Sequence, residues 1–268
     1  MCERIGVNRG HFSTCCSNGL MAVSGPRVLT IAPHLLQRLL VEDTAEGRHY
    51  RTHVRQYNNT LAFATFSSDL NTRRLPGRGP TMFTVHGQAY WTISNDLLGN
   101  EQMQRRYCQL YFVESGEANR IRAEQQNLQP NTHRLLPRVL EDLDRMLRDI
   151  NPFAQAFETM REVWARENAP DRDPQLQPRR VTMHFVADGT VDRRRYNPPP
   201  HAVSEVAAVF VGNDGQPPMN VDLVVYDRNP INPQHRRLQS IPAGSANAEP
   251  MLYPLLFPRG ELGWHYNL

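Results

Sequence analysis

The sequence contains no lysine; all thirty of its basic side chains are arginine. A Walker A loop needs a lysine on the nucleotide phosphates, so a P-loop ATPase or helicase is excluded from this chain. Schiff-base chemistry is excluded for the same reason. Cysteine is scarce, four in 268 residues, which argues against a disulfide scaffold and for a reducing compartment. No apolar run approaches the roughly 20 residues that a bilayer span needs, and Met1–Gly6 lacks the apolar core of a signal peptide. There is no Gly-x-Ser-x-Gly, no His-Glu-x-x-His and no glycine-rich phosphate fingerprint.

What is present is ordinary in bulk: 40% hydrophobic, 21% charged and a net charge of +3, the composition of a globular protein. The arginine-only basicity is explained by GC-rich codon usage. It also suits phosphate, because the guanidinium fork makes bidentate contacts and stacks on bases. Three of the four cysteines fall within residues 1–28, which read as a loop-rich element. Pro33–Val41 places Leu35, Leu36, Leu39 and Leu40 on one helical face. Phe83–Trp91 alternates apolar and polar residues and predicts a half-buried strand or hairpin, and Tyr107–Val113 predicts another.

The clearest helix lies in 131–150. Leu135, Leu136, Val139, Leu140, Leu143, Met146, Leu147 and Ile150 form one stripe, with Leu136, Val139, Leu140, Leu143 and Leu147 as the expected core. Thr132 is a candidate N-cap, and Pro137 predicts that the regular helix starts there. Asn151-Pro152 predicts its stop and the start of a second helix, with Phe153, Phe157, Met160 and Trp164 on one side. Residues 168–179 read as a loop or linker. Beyond it, Val181–Ala187, Val206–Val211 and Val221–Tyr226 are β-prone runs separated by Asp188-Gly189 and Asn213-Asp214-Gly215 turns. The expected class is therefore α+β: two consecutive amphipathic helices near 131–167 packed against antiparallel strands. The expected domains are 1–28, a 29–167 core, the 168–179 linker, and a β-rich 180–268 segment ending in a proline-braced tail.

Few residues carry recognisable chemistry. Cys2, His11, Cys15 and Cys16 offer four zinc donors, but adjacent cysteines are poorly spaced for one ion. The reading is an incomplete zinc-finger-like element, with no cofactor expected and at most partial zinc occupancy. His86 reads as a hydrogen-bonded sheet residue and Cys108 as a core thiol. For nucleic acid, Arg193-Arg194-Arg195-Tyr196 is the best local candidate, since three arginines can meet successive phosphates and a tyrosine can stack on a base. Arg73 and Arg74 come next, with Arg105-Arg106, Arg179-Arg180 and Arg236-Arg237 as further basic points. Solvated surface arginines are the competing explanation for all of them.

Seven strings give the chain a resemblance. They are Cys15-Cys16-Ser17-Asn18-Gly19; Arg55-Gln56-Tyr57-Asn58-Asn59 with Leu61-Ala62-Phe63-Ala64; Phe83 to Tyr90; Gln109-Leu110-Tyr111-Phe112; Asn151-Pro152-Phe153; Arg195-Tyr196-Asn197-Pro198-Pro199 with Glu205-Val206-Ala207; and Glu249 to Trp264, with its Leu-Tyr-Pro-Leu-Leu-Phe-Pro run. In this order they resemble the region ahead of the nuclease domain in Helitron-like rolling-circle transposases, the Rep-helicase proteins. The resemblance implies a protein that handles single-stranded or transposon-end DNA inside the cell, in the nucleus. It also implies a C-terminal segment, 249–268, that docks to a Rep nuclease domain. Such a nuclease needs a His-x-His metal pair, and none occurs among the ten histidines. The family's upstream Cys-x-x-Cys pair is likewise not in this chain. The expectation is a non-catalytic DNA-binding or accessory region, a truncated or host-resident product; the alternative is a protein-interaction scaffold without DNA affinity.

Overall fold

A tight corner joins the first two helices, α1 (His34–Val41) and α2 (Ala45–Leu61). The Thr44 hydroxyl accepts the Gly47 N–H at 3.0 Å and so caps α2. Arg51 reaches back from α2 and donates to the carbonyls of Leu39, Leu40 and Glu42 at 3.1, 3.3 and 2.9 Å. Those carbonyls end α1 and would otherwise lack partners, and a cation is favoured there by the helix dipole. Gly47 sits in the crossing: a Cβ at this position would lie 2.5 Å from the Glu42 carbonyl oxygen. Any larger residue would push the two helices apart.

The computed structural model describes residues 32–67, 70–71, 84–85, 90–94, 105–128, 133–169, 181–186, 207–211, 221–226, 238–241 and 245–264. The chain divides into two compact units, Met1–Pro33 and His34–Leu268, and the account below concerns the second. Its remaining helices are α3 (Ser115–Asn127), α4 (Pro137–Ile150), α5 (Pro152–Glu167) and the short α6 (Ala248–Leu252).

Helices α4 and α5 form for the reasons visible in their sequence. Leu136 precedes Pro137, which starts α4 where a missing N–H costs nothing. Val139, Leu140, Leu143 and Leu147 are buried as expected, whereas Leu136 is half-buried. Leu136 stands at the N-cap, outside the repeating stripe. Asn151 closes one helix and opens the next. Its N–H donates to the Leu147 carbonyl at 2.8 Å, and its side-chain oxygen accepts the N–H groups of Phe153 and Ala154 at 3.0 and 3.4 Å. Phe153, Phe157 and Met160 then point inward from α5. The expected Thr132 cap lies outside the described residues. In α1 only Leu36 and Leu39 are buried, and Leu40 is exposed.

The expected α+β class is corrected. The described chain is mostly helical, with six α-helices, and no common sheet forms among the described residues. Short antiparallel ladders join Thr65–Ser67 and Leu238–Ile241 to Tyr90–Ser94, Leu70–Asn71 to Thr84–Val85, and Ala207–Val211 and Val221–Tyr226 to Val181–Val186. They remain three separate groups among the described residues. Among the described strand side chains, Ile93, Val181, Met183 and Ile241 join the helical core, with Trp91 packed against it.

The expectation failed at two kinds of place. Tyr107–Val113 is not a strand: Tyr107–Leu110 is a 3-10 turn, with Tyr107 at φ 54. And α2 and α3 carry few apolar residues, so an apolar count passes over them. The inner face of α2 is Gly47, Tyr50, Val54, Tyr57 and Leu61, in steps of three and four but built from glycine and tyrosine. The inner face of α3 is Ala118 and Arg122. Among the described residues no helix is long and apolar enough to cross a membrane.

Leu143 is wholly buried in the middle of the main core. Leu143→Ala should therefore cost about 2–5 kcal/mol of stability, read as a lower urea midpoint at unchanged slope. An unchanged midpoint would place the stripe against solvent.

Candidate functional site

The sequence candidates for DNA and metal contact, Arg193, Arg194, Arg195, Tyr196, Arg73 and Arg74, and Cys2, His11, Cys15 and Cys16, lie outside the described residues, as does His86. Arg105 is committed to Glu117, at 2.6 Å. Cys108 is wholly buried. Among the described residues no group of three or more His, Cys, Asp or Glu is arranged to hold a metal ion.

What the structure brings together instead are the residues of the sequence landmarks. The N–H groups of Phe63 and Ala64 both donate to the Met251 carbonyl, at 2.8 and 3.2 Å. Asn58 donates to the Leu252 carbonyl at 2.8 Å and accepts the Leu255 N–H at 3.4 Å. Asn151 reaches the Phe257 carbonyl at 3.4 Å. From the other side, the Cys108 N–H donates to the Phe63 carbonyl at 3.1 Å, and the Tyr111 hydroxyl donates to the Leu61 carbonyl at 2.7 Å. The Phe63 ring lies 4.4 Å from Tyr111, 5.8 Å from Phe153 and 6.1 Å from Phe157. Gly260, at φ +67, crosses Pro152 so closely that a Cβ would fall 2.6 Å from its Cγ. Positive φ and close approach both require glycine there.

The proline-rich C-terminal segment is thus a strap over its own core. Met251, Leu252 and Leu255 are buried in it, while Tyr253, Leu256 and Trp264 stay exposed at 41%, 73% and 52%. The helices and their flanks reach the strap mostly through its carbonyls, those of Met251, Leu252 and Phe257, which prolines nearby do not disturb.

A second convergence is polar. Asp144, on α4, is wholly buried. One carboxylate oxygen accepts from Arg122 at 2.7 Å. The other accepts from Arg148 at 3.0 Å and from the Ser115 hydroxyl at 2.6 Å. Arg148 also donates to Glu158 on α5 and to the Leu110 carbonyl, each at 2.8 Å. Both guanidinium carbons lie 5.4 Å from the centre of the Tyr111 ring, a cation–π arrangement. Among the described residues Arg122 Nε and Nη2 have no hydrogen-bond partner, and the guanidinium lies against the Tyr111 ring.

Burial pushes the Asp144 carboxyl up, but Arg122, Arg148 and the Ser115 hydroxyl together hold it below its ordinary 3.8. A carboxylate so held is a weak base, and the Ser115–Asp144 pair is not an activated nucleophile. Its depressed pKa contributes stability that is present above the unfolded value and is lost as pH falls below about 3.8 through the folded value. Burial likewise raises Tyr111 far above its ordinary value, and Tyr50 to about 12. Both phenols stay neutral hydrogen-bonding groups.

No protein-family model matches the chain, and no curated protein matches it significantly. The fold therefore has to be read from its own geometry. One further feature bears on binding: a groove of about 860 Å³ between α3 and α4. Ser115, Asn119 and Leu140 line it, together with Arg120, Arg134, Glu141 and Arg145. Arg120 and Arg145 pair with Glu124 and Asp142 at 3.0 and 2.9 Å. Such exposed pairs are worth about 0–1 kcal/mol, so an incoming phosphate can compete for these arginines.

Sequence reasoning missed the Arg122–Asp144–Arg148 cluster. The signal was available: Asp144 and Arg148 stand four apart, each directly after a stripe leucine, Leu143 and Leu147, on α4. Charges beside that stripe need buried partners.

Asn58 ties α2 to the strap through two buried hydrogen bonds. Asn58→Ala leaves the Leu252 carbonyl and Leu255 N–H without them and should cost about 1–3 kcal/mol in urea unfolding. A loss within about 0.5 kcal/mol, as at an unconstrained surface site, would contradict this role.

Proposed function

We propose that the chain is a DNA-handling region of a Helitron-like rolling-circle transposase, the part that precedes the nuclease, acting without catalytic groups of its own. The observation that carries this reading is the meeting of the landmarks. Four of the seven strings that resemble the family fall largely on described residues: 55–64, 109–112, 151–153 and 249–264. They join in one core through Asn58, Phe63, Tyr111, Asn151 and Gly260. Strings that lock one another in place have a physical reason to occur in a fixed order and spacing.

Two features support the DNA side of the reading. Every basic side chain is arginine, the residue best matched to phosphate and to stacking. And the α3–α4 groove gathers three arginines and one glutamate. In this reading Arg193, Arg194 and Arg195 supply phosphate contacts, Tyr196 stacks on a base, and Arg73 and Arg74 extend the basic surface. The exposed Tyr253, Leu256 and Trp264 on the strap are available for docking to a nuclease domain, whereas Met251, Leu252 and Leu255 serve its own core. An intranuclear location follows from the same reading.

Salt dependence of single-stranded oligonucleotide binding tests the proposal. Each phosphate contact on a single strand steepens the slope of log affinity against log salt by about 0.7. Replacing Arg193, Arg194 and Arg195 together by alanine should weaken binding to all sequences and flatten the slope by up to about 2. Tyr196→Ala should cost about 1–3 kcal/mol per stacked base with little change in slope. A wild-type chain that binds no oligonucleotide at low salt contradicts the proposal and leaves the protein-interaction scaffold in its place.

A further inference from the structure

Helix α2 carries His49 and His53 one turn apart, with ring centres 4.5 Å from each other. His53 leaves helical geometry, at φ −117 and ψ 21, and its ring lies 4.8 Å from that of His133. His133 begins the segment 133–136, which leads into Pro137 and α4. Two bonds tie that segment to α2, and a third within α2 links them. Nε2 of His49 lies 3.2 Å from the Arg134 carbonyl oxygen. Nδ1 of His49 lies 3.1 Å from the Tyr57 hydroxyl. The Leu136 N–H donates to the same hydroxyl at 3.0 Å.

With a neutral His49 ring, only one placement of protons satisfies all three. The Arg134 carbonyl can only accept, so Nε2 of His49 carries the proton and donates. In a neutral ring Nδ1 then has none and accepts from the Tyr57 O–H. The Tyr57 oxygen is left to accept from Leu136. A second proton on His49 would sit on Nδ1 and claim the Tyr57 oxygen, so the Tyr57 O–H would lose its acceptor and have to turn away. Tyr57 is wholly buried, so its hydroxyl would have no other described acceptor to turn to, and a buried unpaired donor is costly.

We propose that His49 and Tyr57 form an acid-sensitive latch that fastens segment 133–136, and with it the start of α4, to α2 at neutral pH and releases it when His49 becomes protonated.

The charged surroundings act in the same direction. Burial lowers the proton affinity of His49, and His53 and His133 lower it further, against the raising effect of the Arg134 carbonyl. Tyr57 is raised, first by burial and then, against the Leu136 N–H, by Glu46. His34 and Arg38 on α1, and Arg138 and Glu141 on α4, are not among the groups that shift either ring. Since folding lowers the histidine, the latch is intact above the ordinary 6.5 and weakens as pH falls below it.

The test is the hydrogen-exchange protection of the Leu136 amide in the full chain, corrected for intrinsic exchange, at about pH 7.5 and about pH 5.5, on either side of the ordinary histidine value. Protection should fall in acid, by up to about tenfold for each unit by which folding lowers His49. The Asn151 amide, which donates to Leu147 within the α4–α5 joint, should keep its protection. In His49→Gln the Leu136 protection should no longer depend on pH across this range. If that variant does not fold, His53→Gln with His133→Gln keeps the latch but removes the two imidazoles that lower His49, and the acid loss should shrink. Equal wild-type protection at both pH values overturns the proposal. So does the same acid loss in His49→Gln, or an undiminished loss in the double variant.

Discussion

One buried carboxylate holds the described fold in register. Asp144 takes hydrogen bonds from Ser115 and Arg122 on α3 and from Arg148 on its own helix. Arg148 passes the connection to Glu158 on α5 and to the carbonyl of Leu110. Tyr111, beside both guanidiniums, binds the end of α2 through the Leu61 carbonyl. Four elements are thus fixed relative to one side chain. The arrangement is demanding rather than cheap. Burying an ion costs several kcal/mol, which attraction offsets only when geometry and hydrogen bonding are good. Removing one partner strands the others in a low-dielectric core. The cluster is charge-balanced as it stands, with two guanidiniums against Asp144 and Glu158.

Around this polar centre lies the aromatic one. Phe63, Tyr111, Phe153 and Phe157 meet where the strap crosses the helices. The strap starts in the short helix α6, which holds Pro250, and is bound to the core by backbone and amide groups, so a run with three prolines in nine positions folds onto it. Asn58 and Asn151 supply the side-chain bonds that a strand ladder would otherwise provide. The segment that resembles a docking element therefore serves its own chain first, and only its outer residues are left for a partner.

How much of this could be read beforehand depended on what filled the core positions. Where they are leucine and phenylalanine, in α4 and α5, helix type, the Pro137 start and the Asn151-Pro152 joint were all legible. Where they are glycine, tyrosine, alanine and arginine, in α2 and α3, the period was present but its residues are not apolar, and both helices were passed over. Tyr107–Val113 misled for the opposite reason: it is aromatic and apolar as a strand would be, but Tyr107 turns at positive φ and the run closes into a 3-10 turn. The candidate site divides in the same way. The landmark strings were visible, and their structural role emerged only from contacts between residues far apart, such as Asn58 with Leu252. The arginine and cysteine clusters singled out for DNA and zinc lie outside the described residues, so the binding reading rests on sequence and on the groove.

The central claim is that Asp144 anchors the helices, and Asp144→Asn tests it most directly. The substitution keeps shape and removes charge; its amide N–H groups would face Arg122 or Arg148, which can only donate. Urea unfolding at neutral pH should show a loss of about 3–5 kcal/mol, the usual consequence of leaving buried charges without their partner. A loss under about 1 kcal/mol would mean that the guanidiniums are stabilised by something other than this carboxylate, and the account would fail.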